Sequence, residues 1–100
     1  KHTRYNIDSQ VRVRFGDREL VGNVSTISLG GVQLNTDAWL EQGGVVAMKI
    51  RSPDGSQEIE VEGKIVWSEE NKHYGVQFAG AKKTVLQTIR GWTTALSKAA

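Results

Sequence analysis

The chain has 100 residues, of which 38% are hydrophobic and 24% charged, with a formal net charge of +2, eleven glycines, one proline and no cysteine. That length holds one small core, and the balance of apolar and charged residues excludes a disordered chain. The lack of cysteine excludes disulfide frameworks, thiolate metal sites and cysteine nucleophiles, and it fits a reducing cytosol. His2 and His73 leave little material for a histidine-based metal centre. No apolar run nears the roughly 18 residues of a membrane span, and no signal-peptide pattern opens the chain. It begins at Lys1 rather than at a Met, which reads as a piece excised from a longer protein with a neighbouring domain or a membrane anchor expected beyond it. The pI near 9.1 rests on a small surplus, too weak to argue for DNA or RNA.

Alternation with a period of two dominates the pattern. Over Gln10–Phe15, the residues Val11, Val13 and Phe15 face a core while Arg12 and Arg14 face out. Gly16-Asp17 supplies turn chemistry, and Arg18–Ser28 returns with Leu20 and Val24 in step. Gly30-Gly31 breaks this run before Val32-Gln33-Leu34 resumes it. A loop-like stretch, Asn35–Gly44, precedes a strand carrying Val46, Met48 and Ile50. Ser52-Pro53-Asp54-Gly55 reads as a turn, because Pro presets φ and Gly tolerates positive φ. Ile59, Val61, Ile65 and Trp67 then share one parity, with Glu58, Glu60, Glu62 and Lys64 on the other. Asn71–His73 reads as a second hairpin turn that leaves His73 in solvent, and Tyr74–Phe78 as a short final strand. About six short, evenly spaced strands predict an antiparallel β-barrel or sandwich. From Lys82 to Lys98 the period becomes helical, with Val85, Leu86, Ile89, Trp92 and Leu96 on one stripe, expected to cover an open end or face of the barrel. Trp39 and Trp92 read as packing residues.

Catalytic chemistry finds little support in these residues. Glu58, Glu60 and Glu62 alternate on an outward strand face, where solvated charge is the plain reading rather than acid–base work. Ser28 has no histidine near it in sequence. Positive charge gathers in Lys1–Leu20, where Lys1, Arg4, Arg12, Arg14 and Arg18 outnumber Asp8, Asp17 and Glu19. So local a surplus suits a compact anion better than a polymer, which needs a continuous basic stripe. Lys1, His2 and Arg4 are either a solvated terminus or part of such an anion site. Gly30-Gly31, preceded by Thr26 and Ser28 on a shared face, reads equally as an ordinary turn capped by a hydroxyl or as a place where a ligand nears the main chain.

The run Thr26-Ile27-Ser28-Leu29-Gly30-Gly31-Val32-Gln33-Leu34 resembles the (Asp/Asn)-x-Ser-x-x-Gly signature of the PilZ domain family. Lys1–Ile7 is similar to the end of that family's Arg-x-x-x-Arg motif, with Arg4 as its second arginine and the first falling one position before Lys1. Gly63–Trp67 and Tyr74–Phe78 resemble the family's two late strands, so the likeness covers essentially the whole chain. It implies an all-β fold: a six-stranded antiparallel barrel of split-barrel type with a C-terminal α-helix, divided into a ligand-binding arm at 1–8, a barrel at 10–79 and a helix at 82–98.

The resemblance further implies a bacterial, cytoplasmic, non-enzymatic receptor for cyclic di-GMP that acts in regulation of motility or biofilm formation. No cofactor or metal is expected. Arg4 would take phosphate and base, because a guanidinium fork pairs bidentately with phosphate or guanine and also stacks. Ser28 would meet a guanine edge, Gly30 and Gly31 would permit close approach, and Lys1 would add positive potential. Thr26 stands where the family has Asp or Asn and offers guanine a weaker acceptor. His2 and Trp67 are secondary candidates. Trp67 could stack on a guanine, but its parity with Ile59 and Ile65 equally suits the core. Ordering of the arm would pass the signal to an attached domain or protein partner. Two rivals remain: a degenerate adaptor on the same fold that binds protein alone, and a single-stranded nucleic-acid binder, which the charge distribution disfavours.

Overall fold

The computed structural model describes residues 4–52, 54–70 and 72–99. Its elements are β1 (Tyr5–Phe15), β2 (Arg18–Ile27), β3 (Gly31–Asn35), β4 (Val45–Arg51), β5 (Glu58–Glu69), β6 (His73–Phe78) and α1 (Lys83–Ala99). The strands form a closed antiparallel barrel in the order β1-β2-β3-β6-β5-β4. β1 closes it, pairing with β2 on one side (Val13 opposite Leu20) and with β4 on the other (Val13 opposite Met48). Closure leaves no exposed strand edge and gives every strand one inner and one outer face.

The alternating apolar residues fill the inner face. Val11, Val13, Val24, Ile27, Leu34, Val46, Met48, Ile50 and Ile65 are all almost fully buried. Each such side chain contributes roughly 1.5–3 kcal/mol by leaving water, before chain entropy is set against it. Tyr74 is fully buried too, and its hydroxyl donates to the Ala38 carbonyl and accepts from the Leu40 N–H, both at 3.0 Å. Those bonds pin the loop after β3 to the barrel and carry Leu40 into the core.

The pairing register shifts at three places: between Asn6 and Ser9 on β1, where strict alternation continues, and at two bulges, between Val24 and Thr26 on β2 and between Ile65 and Trp67 on β5. A bulge inserts one unpaired residue and reverses the faces beyond it. Such reversals are invisible to a strict period-two reading.

Other boundaries also differ from expectation. β1 starts at Tyr5 rather than near Gln10, because Tyr5 and Asn6 pair with Ile27 and Thr26; residues 5–8 are therefore strand and not a separate arm. β2 stops at Ile27, one residue short of Ser28. His73 opens β6 instead of closing a turn; it is half-buried opposite Asn35, with Nδ1 2.7 Å from Asn35 Oδ1. The tight turn lies just before it, where the Lys72 N–H donates to the Glu69 carbonyl and Glu70 adopts a left-handed φ of 57°. Trp39, expected to pack, is 55% exposed, because Leu40 takes the inward position.

α1 packs on β1 and β5 through Ile89 and Trp92. The Trp92 indole N–H donates to Gln57 Oε1 at 3.1 Å, tying the helix to the turn before β5. That turn is held by Asp54, whose Oδ1 accepts from the Ser52 hydroxyl (2.6 Å) and from the Ser56 N–H (3.0 Å) and hydroxyl (2.7 Å). These bonds, the Ser52 hydroxyl foremost, favour the ionised form and lower the Asp54 pKa from 3.8 to about 2.

Two predictions follow the geometry of this end of the molecule. At Gly91, inside α1, a methyl group would meet nothing within 4 Å, so Gly91→Ala should raise stability by about 0.5–1 kcal/mol, read as a later urea midpoint. Because the folded-state pKa of Asp54 is depressed, its contribution is fully present above the unfolded value and is lost as pH falls through the folded one. Asp54→Ala should therefore melt below wild type at neutral pH, with the gap closing between pH 3.8 and about 2.

Candidate functional site

On the outer face, the pairing registers set two rows side by side. One runs Asn6, Thr26, Gln33, Gly75 and Trp67 across successive strands, and its neighbour runs Gly31, Gln77 and Lys64. Ser28 stands beside Gly31, linked through its N–H to the Gly31 carbonyl at 2.9 Å. Arg4 stands just before β1, at the end nearest this turn, because Tyr5 pairs with Ile27. Together Arg4, Ser28, Gly30, Gly31, Trp67 and Gln77 line a groove of about 400 Å³.

The turn between β2 and β3 is built by Ser28. Its Oγ accepts from the Gly30 N–H at 3.1 Å and the Gly31 N–H at 3.2 Å, satisfying two amides that strand pairing leaves free. Its own O–H faces the Gly31 carbonyl at 3.4 Å, a long and weak bond. The hydroxyl cap read from the sequence is thus present. Gly31 is needed for space and not for an unusual φ: a Cβ there would strike the Val76 carbonyl oxygen of β6. The Phe78 N–H donates to the Gly30 carbonyl at 2.9 Å, fixing the turn against the end of β6.

The β5 bulge decides where Trp67 goes. Ile65 lies opposite the buried Val76, whereas Trp67 lies opposite Gly75, so Val66 is the unpaired residue and Trp67 is turned to the outer face. Its indole rests against Gly75, where any Cβ would collide with the ring. One ring face is therefore held by the β6 backbone, and the half-buried ring borders the groove. Of the two readings left open for Trp67, core packing is set aside by this reversal.

The groove thus brings together Arg4, Ser28, Gly30, Gly31 and Trp67. Thr26 shares the outer row of Gly75 and Trp67 but sits farther along it, half-buried between Asn6 and Gln33, and does not line the groove. Lys1 and His2 lie outside the described residues. Sequence reasoning missed Gln77 and Gly75. Gln77 was legible as the one polar outward position of the Gly75–Phe78 segment, but Gly75 needed the bulge to be known.

A larger hollow of about 560 Å³ lies between α1 and β5, yet Glu58, Glu60 and Glu62 border it. Three carboxylates would repel a phosphate, so the smaller groove is the better anion site. No group of three or more His, Cys, Asp or Glu residues able to hold a metal occurs among the described residues. No helix among them is long and apolar enough to cross a membrane.

The family model described as the PilZ domain matches residues 1–95. A search of curated protein sequences returns no match. Among solved structures, the PilZ domain of YcgR from Escherichia coli, determined with c-di-GMP, is similar at 13% identity and a TM-score of 0.80, covering 98% of this chain and 91% of that one. MotI/DgrA, an inhibitor of motility from Bacillus subtilis, is similar at 16% identity and a TM-score of 0.78, covering 95% of this chain and 49% of that one. PlzA from Borreliella burgdorferi, in complex with c-di-GMP, is similar at 15% identity and a TM-score of 0.73, covering 92% of this chain and 40% of that one. This chain therefore spans half or less of the latter two proteins, and the likeness shows their fold.

Removing the Ser28 hydroxyl should expose how much the turn depends on it. Ser28→Ala strips the acceptor from two half-buried amides of the turn and should cost about 1–2 kcal/mol in denaturant unfolding. Ser28→Thr, which keeps an Oγ, should recover part of that loss.

Proposed function

The chain belongs to the PilZ domain family, and on that premise we propose that it is a non-enzymatic receptor that binds cyclic di-GMP in the groove between Arg4 and Trp67. The observation that carries this reading is the convergence of an exposed guanidinium, a glycine turn and an indole held flat against the sheet around one groove. Each matches a part of the ligand. Arg4 is exposed and supplies a planar fork for a phosphate or the O6/N7 edge of guanine. Trp67 offers a stacking surface, worth roughly 1–3 kcal/mol per base. Gly30 and Gly31 admit the ligand close to the main chain, and the loosely held Ser28 O–H is the group left to meet a guanine edge. Solved neighbours of the same fold that carry c-di-GMP, YcgR and PlzA, support the choice of ligand.

The signalling step follows from where Arg4 sits. Tyr5 and Asn6 are already paired in β1, so closure over a ligand falls to Arg4 and the residues before it, and not to the whole 1–8 segment. Lys1 would add potential there. Drawing Arg4 onto the ligand shifts the start of β1 relative to whatever adjoins it, an attached domain or a protein partner. Thr26, outside the groove and lacking a carboxylate or amide, contributes little to affinity in this reading.

Calorimetric titration with cyclic di-GMP tests the proposal. Wild type should bind with a measurable enthalpy. Arg4→Ala and Trp67→Ala should each weaken binding about tenfold or more, equivalent to roughly 1.4 kcal/mol or above. Arg4→Ala should leave the thermal midpoint within a few degrees, whereas Trp67→Ala, which also strips packing from Gly75, should lower it further with the chain still folded at the titration temperature. Undetectable binding by a folded chain extended upstream of Lys1 would leave the adaptor reading in its place.

A further inference from the structure

On the side of the barrel away from the groove, β1 and β4 pair in the register Arg12 opposite Lys49 and Arg14 opposite Ala47. Arg12, Arg14, Lys49 and Arg51 are all exposed and outward, and they form one compact basic patch. Two strands at ~4.8 Å spacing, with Arg14 and Arg51 each one ~6.8 Å next-but-one step from the Arg12–Lys49 pair on opposite sides, give it a span of about 14 Å. Two long pairs reach it: Arg14 to Glu19 at 3.8 Å and Lys49 to Glu60 at 3.9 Å, both well solvated and weak. Arg12 and Arg51 have no ion-pair partner among the described residues. Arg12 and Lys49 face each other directly, an arrangement that opposes folding.

We infer that this β1–β4 face is a docking surface for a short acidic segment of a partner protein. Its surroundings choose that occupant. Carboxylates bound the patch on both sides: Glu19 on β2, and Glu58, Glu60 and Glu62 on β5. A nucleic-acid strand or an anionic bilayer extends well beyond about 14 Å and would meet those carboxylates. Acidic side chains from one or two turns of a helix, or from a short extended segment, fit inside the boundary. Val21 lies opposite Arg12 and is 57% exposed, giving such a segment an apolar contact at the patch edge. A depression of about 180 Å³ between Arg12, Arg14 and Lys49 is also bordered by Glu19 and Glu60, so a docked carboxylate competes there with the two weak pairs and has Arg12 as its uncontested partner. Barrel closure rules out addition of a strand to β1 or β4, so recognition runs through side chains.

The patch and the groove lie on opposite sides of the barrel, with β2 and β5 between β1–β4 and β3–β6. A partner docked here leaves the groove open. β1 also joins the two, because Arg4 immediately precedes it and Arg12 and Arg14 lie on it.

The test is a titration of the ¹⁵N-labelled chain with a short oligoglutamate peptide, followed by amide chemical shifts. Saturable shifts should fall on residues 11–14 and 47–51, spare Gly30, Gly31 and Gly75, and weaken steeply as salt is added. Arg12→Glu should reduce affinity about tenfold or more, while its thermal midpoint stays at or above wild type, because the new carboxylate faces Lys49. Shifts that are absent, spread over the whole surface, or reproduced as strongly by single-stranded oligothymidylate would overturn the inference.

Discussion

Pairing of β1 on both sides is the constraint from which the rest of this molecule follows. With β2 on one flank and β4 on the other, the sheet has no free edge and no freedom to slip register without turning apolar residues outward. The inner face must then be filled by the alternating Val, Ile, Leu and Met side chains, and the outer face is left to polar and charged ones. Function can enter such a structure only where the alternation is broken or where outward side chains gather.

Both happen, on opposite sides. The break is the β5 bulge, which takes Trp67 out of the core sequence of Ile59, Val61 and Ile65 and lays it on Gly75. That placement requires a partner strand without a side chain at one position, just as the β2–β3 turn requires Gly31 to clear the Val76 carbonyl. Two glycines chosen for space thus flank one groove. The gathering is the opposed Arg12–Lys49 pair and its neighbours, where repulsion is tolerated on the strands best anchored by closure.

The fold was legible because its signal is redundant: period two repeats over six strands, and the helical stripe of Val85, Ile89, Trp92 and Leu96 contrasts with it. The Ser28 and Gly30-Gly31 turn was legible for a similar reason, since small polar and glycine residues announce a local backbone demand. Trp67 was not, because a bulge has no composition of its own; only the partner register, with Gly75 opposite, reveals it. His73 and Trp39 were misread for a related cause. Whether a residue beside a turn pairs with a strand, as His73 does with Asn35, or which of two adjacent apolar residues turns inward, as Leu40 does before Trp39, depends on tertiary contacts. Tyr74 bonds to the loop 34 and 36 residues away, a distance no local pattern records.

The ligand is proposed to lie between Arg4, the Ser28–Gly31 turn and Trp67. The most direct test is a titration of the ¹⁵N-labelled chain with cyclic di-GMP, following the backbone amides and the three indole N–H signals. The proposed groove predicts large shifts at Gly30, Gly31, Gly75, Gln77 and the Trp67 indole, with the exposed Trp39 and the buried Trp92 unmoved. Shifts centred on the hollow beneath α1, or saturating binding that leaves the Trp67 indole unchanged, would contradict it.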